Sequence, residues 1–332
     1  MNRTIRTLAA ATLVAMATAG TAAAADKLTL TMNWRADSAH LGFALAQKQG
    51  LYAAEGLDVT LQEGRGSSVA AQLVATGQSE IGYADAGAAL NVAAKGAPIR
   101  IISTIWKAGQ FGIVYLDSSG IKTPQDLKGK KLAVSPGTAM VPLVPVFLKA
   151  NGMQESDVEV VSAAQNANLG LLTSGGADAV AETPENVVVP LAAQGIKASN
   201  MYFYDHGVPL VSLSLIARED KLAENPDLYK RFIRATLKGW QAAMKNPAAA
   251  VDALKEVFPE AQKSKEALMQ GAVYSFASVC PGGAGDTIGA TDAKTWENIY
   301  GVMTTAMAFP TDNPITHYYT NDYLPADPVT CP

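Results

Sequence analysis

The chain has 332 residues, 48% of them hydrophobic and 17% charged, and carries a formal net charge of −4. A mildly acidic chain without basic runs is a poor match for a nucleic-acid binder, and the length suffices for two lobes with cores of their own. Two cysteines, Cys280 and Cys331, and three histidines, His40, His206 and His317, stand too far apart in sequence for metal-ligand spacing.

The first residues read as an export signal. Arg3 and Arg6 give a positive start, residues 8–16 form a short apolar core, and the alanines at 22–25 offer a small-residue cleavage point before Asp26. That core is too short to span a bilayer. No twin arginine and no lipobox cysteine is present. The expectation is a Sec signal peptide over 1–25 and a soluble periplasmic protein from residue 26. Taking Arg3 and Arg6 from the 26 Lys and Arg leaves 24 against 30 Asp and Glu, a net charge of −6. In an exported chain, an even cysteine count points to a disulfide between Cys280 and Cys331.

Residues 28–32 alternate apolar and polar, a strand pattern, and a polar loop follows over 33–37. Ser38 is the expected N-cap of a helix carrying Leu41, Ala44 and Leu45, and Gly50 fits its left-handed stop. Residues 57–61 form the next strand. In open α/β sheets, ligands sit outside the carboxyl ends of strands, near helix N-termini. The loop at that place carries Trp34, which would stack on a flat ligand or be an ordinary loop aromatic. It leads to His40, which would bond a ligand or simply pack. Gly64-Arg65-Gly66-Ser67-Ser68 then opens an apolar helix, offering N–H groups to an anion or polar edge, with N-capping by Ser67 or Ser68 as the plainer reading. The strand at 81–84 ends in Asp85, placed to accept from an amino group or to cap helix 86–95. Strand 99–104 runs into Trp106, a second candidate for the cleft wall or a residue packed between lobes. Strand 111–116 follows.

Thr123-Pro124-Gln125-Asp126 has the favoured order for a helix start. After strand 131–135, Ser135-Pro136-Gly137-Thr138 opens a helix toward the cleft, so Gly137 and Thr138 join the site. Pro142 and Pro145 imply a late helix start or a kink. Strands at 158–162 and 178–181 flank a helix at 168–174. Glu182 would accept from an amine or amide, or cap a helix. A strand at 201–204 leads to His206, which faces the cleft or solvent. The return strand is 211–217, followed by an amphipathic helix to Lys245, a helix over 247–257, and a helical remainder to 309.

Three passages resemble the substrate-binding proteins of ABC importers. One is the opening unit: Asn33-Trp34, His40, Gly50-Leu51-Tyr52 and Glu55-Gly56-Leu57-Asp58-Val59. The others are GIKTPQDLKGKKLAVSPGT at 120–138 and NPDLYKRFIRATLKGW at 225–240. The branch resembled is that for thiamine pyrimidine precursors, with relatives for riboflavin, sulfonates and nitrate. The resemblance implies a two-lobed α/β periplasmic binding protein of type II, a Venus flytrap, with each lobe a sheet flanked by helices and two hinge strands between them. Lobe one would be 26–116 with 211–332, and lobe two 117–210. It implies a monomer that closes on a small flat N-heterocycle and delivers it to an ABC permease and its ATPase in the inner membrane, with no cofactor and no metal. The alternative is a small organic anion (sulfonate, taurine, nitrate or aromatic carboxylate) held at the helix starts of Ser67 and Thr138. Glu182-Thr183-Pro184 stands where many relatives have Trp-Glu-Pro, and its carboxylate would repel such an anion. A pyrimidine-synthase-like enzyme and a periplasmic sensor share the fold. The synthases carry a cysteine-rich motif absent here, and no nucleophile elbow, zinc helix or phosphate loop occurs, so the chain reads as a non-enzyme.

Overall fold

The computed structural model describes residues 24–332, apart from 137, 139 and 307. The proposed leader and Gly137 therefore lie outside the described residues, the leader but for its last two positions. The strands are β1 (Asp26–Thr31), β2 (Leu57–Gln62), β3 (Ile81–Asp85), β4 (Ile99–Thr104), β5 (Gly112–Leu116), β6 (Lys131–Val134), β7 (Glu159–Ser162), β8 (Ala179–Glu182), β9 (Ala198–Tyr202) and β10 (Leu213–Arg218). They form two five-stranded sheets, ordered β2-β1-β3-β10-β4 and β7-β6-β8-β5-β9. Within the first sheet β1, β2 and β3 run parallel, while β10 is antiparallel to β3 and β4. Within the second, β6, β7 and β8 run parallel and β5 is antiparallel to β8 and β9. Parallel neighbours need helical crossovers, which the helices Leu41–Lys48, Ser67–Ala75, Met140–Ala150 and Asn168–Ser174 supply. Both sheets thus present parallel carboxyl ends beside helix starts.

The expected lobe boundary at 116 falls too late. β5 pairs with Glu182 and Tyr202 at its first residue, Gly112, so it already belongs to the second sheet. The chain crosses over 105–111 and returns over 203–212. Both crossings are irregular rather than strands, and they hold each other: Trp106 N donates to Leu213 O at 3.0 Å and Ser212 N donates to Trp106 O at 3.0 Å.

Each sheet has its own core. Leu30, Phe43, Tyr83, Ile102, Phe232 and Trp240 are buried in the first. Ile113, Leu132, Phe147, Ala181 and Phe203 are buried in the second. Helix Pro226–Lys245 turns Phe232, Ile233, Leu237 and Trp240 inward at helical spacing. Helix Met140–Ala150 starts late enough that Pro142 lies in its first turn, where a missing N–H costs nothing, while Pro145 lies inside it.

Cys280 and Cys331 are bonded, 6.1 Å apart at Cα. Around the bond, Cys331 N donates to Asp286 O at 2.7 Å and Gly285 N to Cys331 O at 3.0 Å. Lys107 in the first crossing donates to Asp286 Oδ1 at 2.5 Å and Thr287 O at 2.9 Å, so the tied loop braces the crossing. No helix of the described residues is long and apolar enough to cross a membrane.

Candidate functional site

The loop after β1 is shaped by Asp37, not Ser38. Asp37 Oδ1 accepts from Ala39 N at 2.9 Å and Asp37 forms a capping box with His40, while the Ser38 hydroxyl is committed to Glu185. His40 is fully buried. Its Nε2 lies 2.9 Å from Asn33 Oδ1, and its Nδ1 lies 3.2 Å from Asp37 N and 3.0 Å from Asp37 Oδ1. Both ring nitrogens are thus engaged by the protein. Burial pushes the Asp37 carboxyl up, but His40, Lys263 and the Ala39 N–H outweigh burial and hold it below its ordinary value.

Trp34 is 52% exposed and walls an open cavity of about 900 Å³, together with Arg35, Glu63, Arg65 and Lys263. The loops after β1 and β2 are stitched together beneath it. Gly64 N donates to Trp34 O at 3.1 Å, Gly66 N to Asn33 O at 2.7 Å, and Ala36 N to Glu63 Oε1 at 2.7 Å. A Cβ at residue 64 would run into the Met32 carbonyl, so this close approach admits only glycine.

Neither serine caps the next helix. Its N-cap is Gly66, without a side-chain bond, because the Ser67 hydroxyl instead accepts from Asp85 N at 3.0 Å and Ser68 is exposed. Asp85 is itself a cap. Its Oδ1 accepts from Gly87 N at 3.0 Å and Ala88 N at 3.3 Å, and its Oδ2 from Ser212 Oγ at 3.0 Å. Burial raises the Asp85 carboxyl against these donors. Trp106 is buried among the first core, and its indole N–H finds no partner among the described residues.

In the second sheet, Thr138 closes a turn by donating to Ser135 O at 2.7 Å. His206 sets its ring edge on Phe147, 6.0 Å between centroids, and its carbonyl accepts from Asn151 Nδ2 at 2.9 Å. That position, beyond the end of helix Met140–Ala150, does not bring it to the other candidates. Glu182, the last residue of β8, is only 4% exposed. Its Oε1 accepts from Thr183 N at 2.8 Å and its Oε2 from Asn168 Nδ2 at 3.2 Å. Glu182 and Asn168 line a cavity of about 550 Å³ with Asn166, Leu169 and Asn186.

Of the buried groups that stand without partners among the described residues, sequence reasoning did not single out the Tyr83 hydroxyl, Ser135 Oγ or Asn168 Oδ1. Tyr83 precedes the end of β3, Ser135 follows β6, and Asn168 opens its helix. The readable signal was position for Ser135, just past a strand's carboxyl end, and for Asn168, at a helix start, whereas Tyr83 lies mid-strand and carried none. An unpaired buried polar group costs about 1–3 kcal/mol, which a ligand with complementary groups would relieve.

The two lobes also touch. Glu185 opens helix Glu185–Ala193 and accepts from Ser38 Oγ at 2.7 Å and from Lys263 Nζ at 2.8 Å, both on the first lobe. Burial raises its carboxyl, Lys263 lowers it, and Asp37 raises it again. Burial, then Tyr274 of the first lobe, also holds the Tyr202 phenol above its ordinary value.

A family described as NMT1/THI5 like matches residues 37–250. A 4-amino-5-hydroxymethyl-2-methylpyrimidine phosphate synthase of Uromyces fabae is 28% identical over 235 residues, 67% of this chain and 68% of the relative. A formylaminopyrimidine-binding protein of Halalkalibacterium halodurans is 24% identical over 283 residues, 83% of this chain and 84% of the relative. The solved periplasmic aliphatic sulphonate binding protein SsuA of Escherichia coli superposes with a TM-score of 0.70 at 14% identity, covering 88% of this chain and 91% of that one. The fold is that of periplasmic ABC substrate-binding proteins, and with the match spanning well over half of the chain, the chain belongs to the NMT1/THI5-like family.

Proposed function

We propose that this chain is the periplasmic solute-binding component of an ABC importer, and that its solute is a small flat N-heterocycle bearing an amino group. On this reading residues 26–104 and 213–332 form lobe one, 112–202 form lobe two, and the lobes close on the solute and present it to the permease. The observation that carries the solute class is the Asn168 amide oxygen. It is buried without a partner among the described residues, beside the Glu182 carboxylate, in a cavity at the carboxyl end of β8. An unpartnered amide oxygen suits a hydrogen of an exocyclic amine, and the carboxylate beside it disfavours an anion. Trp34 walls the separate cavity of the first lobe, and on this reading it would supply the stacking face as the lobes close on the solute.

The formylaminopyrimidine-binding relative supports the same class. Binding without chemistry fits a chain whose two cysteines form a disulfide. One observation favours an organic anion instead: the helix Ser67–Ala75 begins at Gly66 without a side-chain cap, leaving first-turn N–H groups for an anion. The carboxylate of Asp85, a residue whose backbone N–H donates to Ser67 Oγ, opposes it. Native mass spectrometry of protein purified from its own periplasm tests the proposal. An added mass matching an amine-bearing heterocycle supports it, and a retained sulfonate or carboxylate overturns the solute class.

A further inference from the structure

Ser38, Lys263 and Glu185 meet across the gap between the two sheets. Ser38 follows β1, and Lys263 precedes helix Lys265–Val279, both on the first lobe. Glu185 follows β8 on the second lobe, 147 residues from Ser38 and 78 from Lys263. Its carboxylate is buried and takes a hydroxyl and an ammonium donor on one oxygen, Oε1. The seat is closely fitted. A Cβ on Gly271 would stand 2.6 Å from both Glu185 Oε1 and Ser38 Oγ, so the absent side chain is what lets the carboxylate in. Asp37 lies 3.9 Å from Lys263 and holds the ammonium from its other side.

We infer that Glu185, seated on Ser38, Lys263 and Gly271, is a latch that holds the two lobes together and sets the balance between open and closed forms. The inference rests on the two-lobed, closing reading above. Glu185 acts on binding by position. It stands three residues after Glu182, through Thr183 and Pro184, so the solute anchor and the latch move as one body. These contacts lie within the protein and join the two lobes, so part of the free energy of closing on a solute is supplied by contacts the solute does not make. Breaking the latch should weaken every solute by the same factor, whatever its chemistry.

The test is pulsed electron–electron distance measurement on the full mature chain without solute, with nitroxides at the exposed positions Gln49 and Gln194, one on each lobe. Glu185→Gln and Lys263→Met should each lower the closed-to-open ratio by roughly tenfold, the worth of one charged hydrogen bond. The double variant should fall no further than either alone, because both remove the same contact. Gly271→Ala is the second probe. It keeps all three latch residues but crowds Ser38 within the first lobe as well as Glu185 across the gap, so the lobes should part while the chain still unfolds cooperatively at a somewhat lower melting temperature. Superimposable distance distributions in wild type and all three variants would overturn the latch, as would a wild type already at the longer separation. Because no solute is added, failure to find a heterocycle ligand leaves this result standing, and failure of the latch leaves the solute class untouched.

Discussion

The Asn168 amide donates to Glu182 Oε2 at 3.2 Å and leaves its own oxygen buried and unpaired among the described residues. That pairing commits the amide nitrogen to the carboxylate, and both residues line one cavity. Asn168→Ala should weaken an amine-bearing heterocycle by roughly tenfold or more, the worth of one buried hydrogen bond. Glu182→Gln should weaken the same ligand and strengthen an alkanesulfonate, since a repulsive charge is removed. Competition binding with both ligand types reads the two variants. Equal effects of Glu182→Gln on both ligands would contradict the acceptor role.

Trp34 is half exposed and belongs to no core, so Trp34→Ala should change stability by less than about 0.5 kcal/mol. If it stacks on a ring, affinity should fall by about 1–3 kcal/mol, roughly ten- to a hundredfold. Chemical denaturation and calorimetry on one preparation separate the two effects. A loss of stability with affinity intact would make Trp34 structural.

The Cys280–Cys331 bond closes a sequence separation of 51 residues, which in the chain-entropy account contributes about 4 kcal/mol. Replacing both cysteines with serine should lower the unfolding free energy by about that amount. Lys107 bonds the same loop and the first crossing, so the loss should be accompanied by faster hydrogen exchange at 105–108. Unchanged exchange there would show that the crossing does not depend on the tied loop.

Asp85 is a capping carboxyl whose burial raises it above its ordinary 3.8. The folded state therefore keeps a proton that the unfolded chain has already released. Stability should be greatest below about pH 3.8 as far as this group is concerned, and decline as pH rises to the raised folded value. Asp85→Asn keeps the cap and can still bond Ser212, but it does not ionise. Denaturant titrations from about pH 4 to pH 7 should show the variant gaining on the wild type with rising pH. Parallel curves would contradict the assignment.

Much of the fold was legible because chain punctuation is local. β4, helix Asn168–Ser174 and helix Pro247–Val257 stand at their predicted bounds. Asn246 caps one helix start, and Gly175 takes the left-handed stop at another helix's end. β5 was assigned to the wrong lobe because nothing in its own residues says which sheet it joins; its partners β8 and β9 lie far along the chain. The site was less legible for the same reason. By local rules Ser38 caps a helix, yet its hydroxyl goes to Glu185, while Asp37 beside it takes the cap. Ser67 likewise gives up a local role for Asp85 N. In both cases a distant partner outcompetes the neighbouring backbone, and no spacing in the sequence marks that choice.

The central claim is that this chain binds a flat, amine-bearing heterocycle. Titration calorimetry of wild type and Trp34→Ala with an aminopyrimidine and with an alkanesulfonate tests it most directly. The account predicts saturable binding of the aminopyrimidine, one molecule per chain, weakened roughly ten- to a hundredfold in the variant. Tight alkanesulfonate binding by the wild type, unchanged by Trp34→Ala, with no heat from the aminopyrimidine, would contradict it.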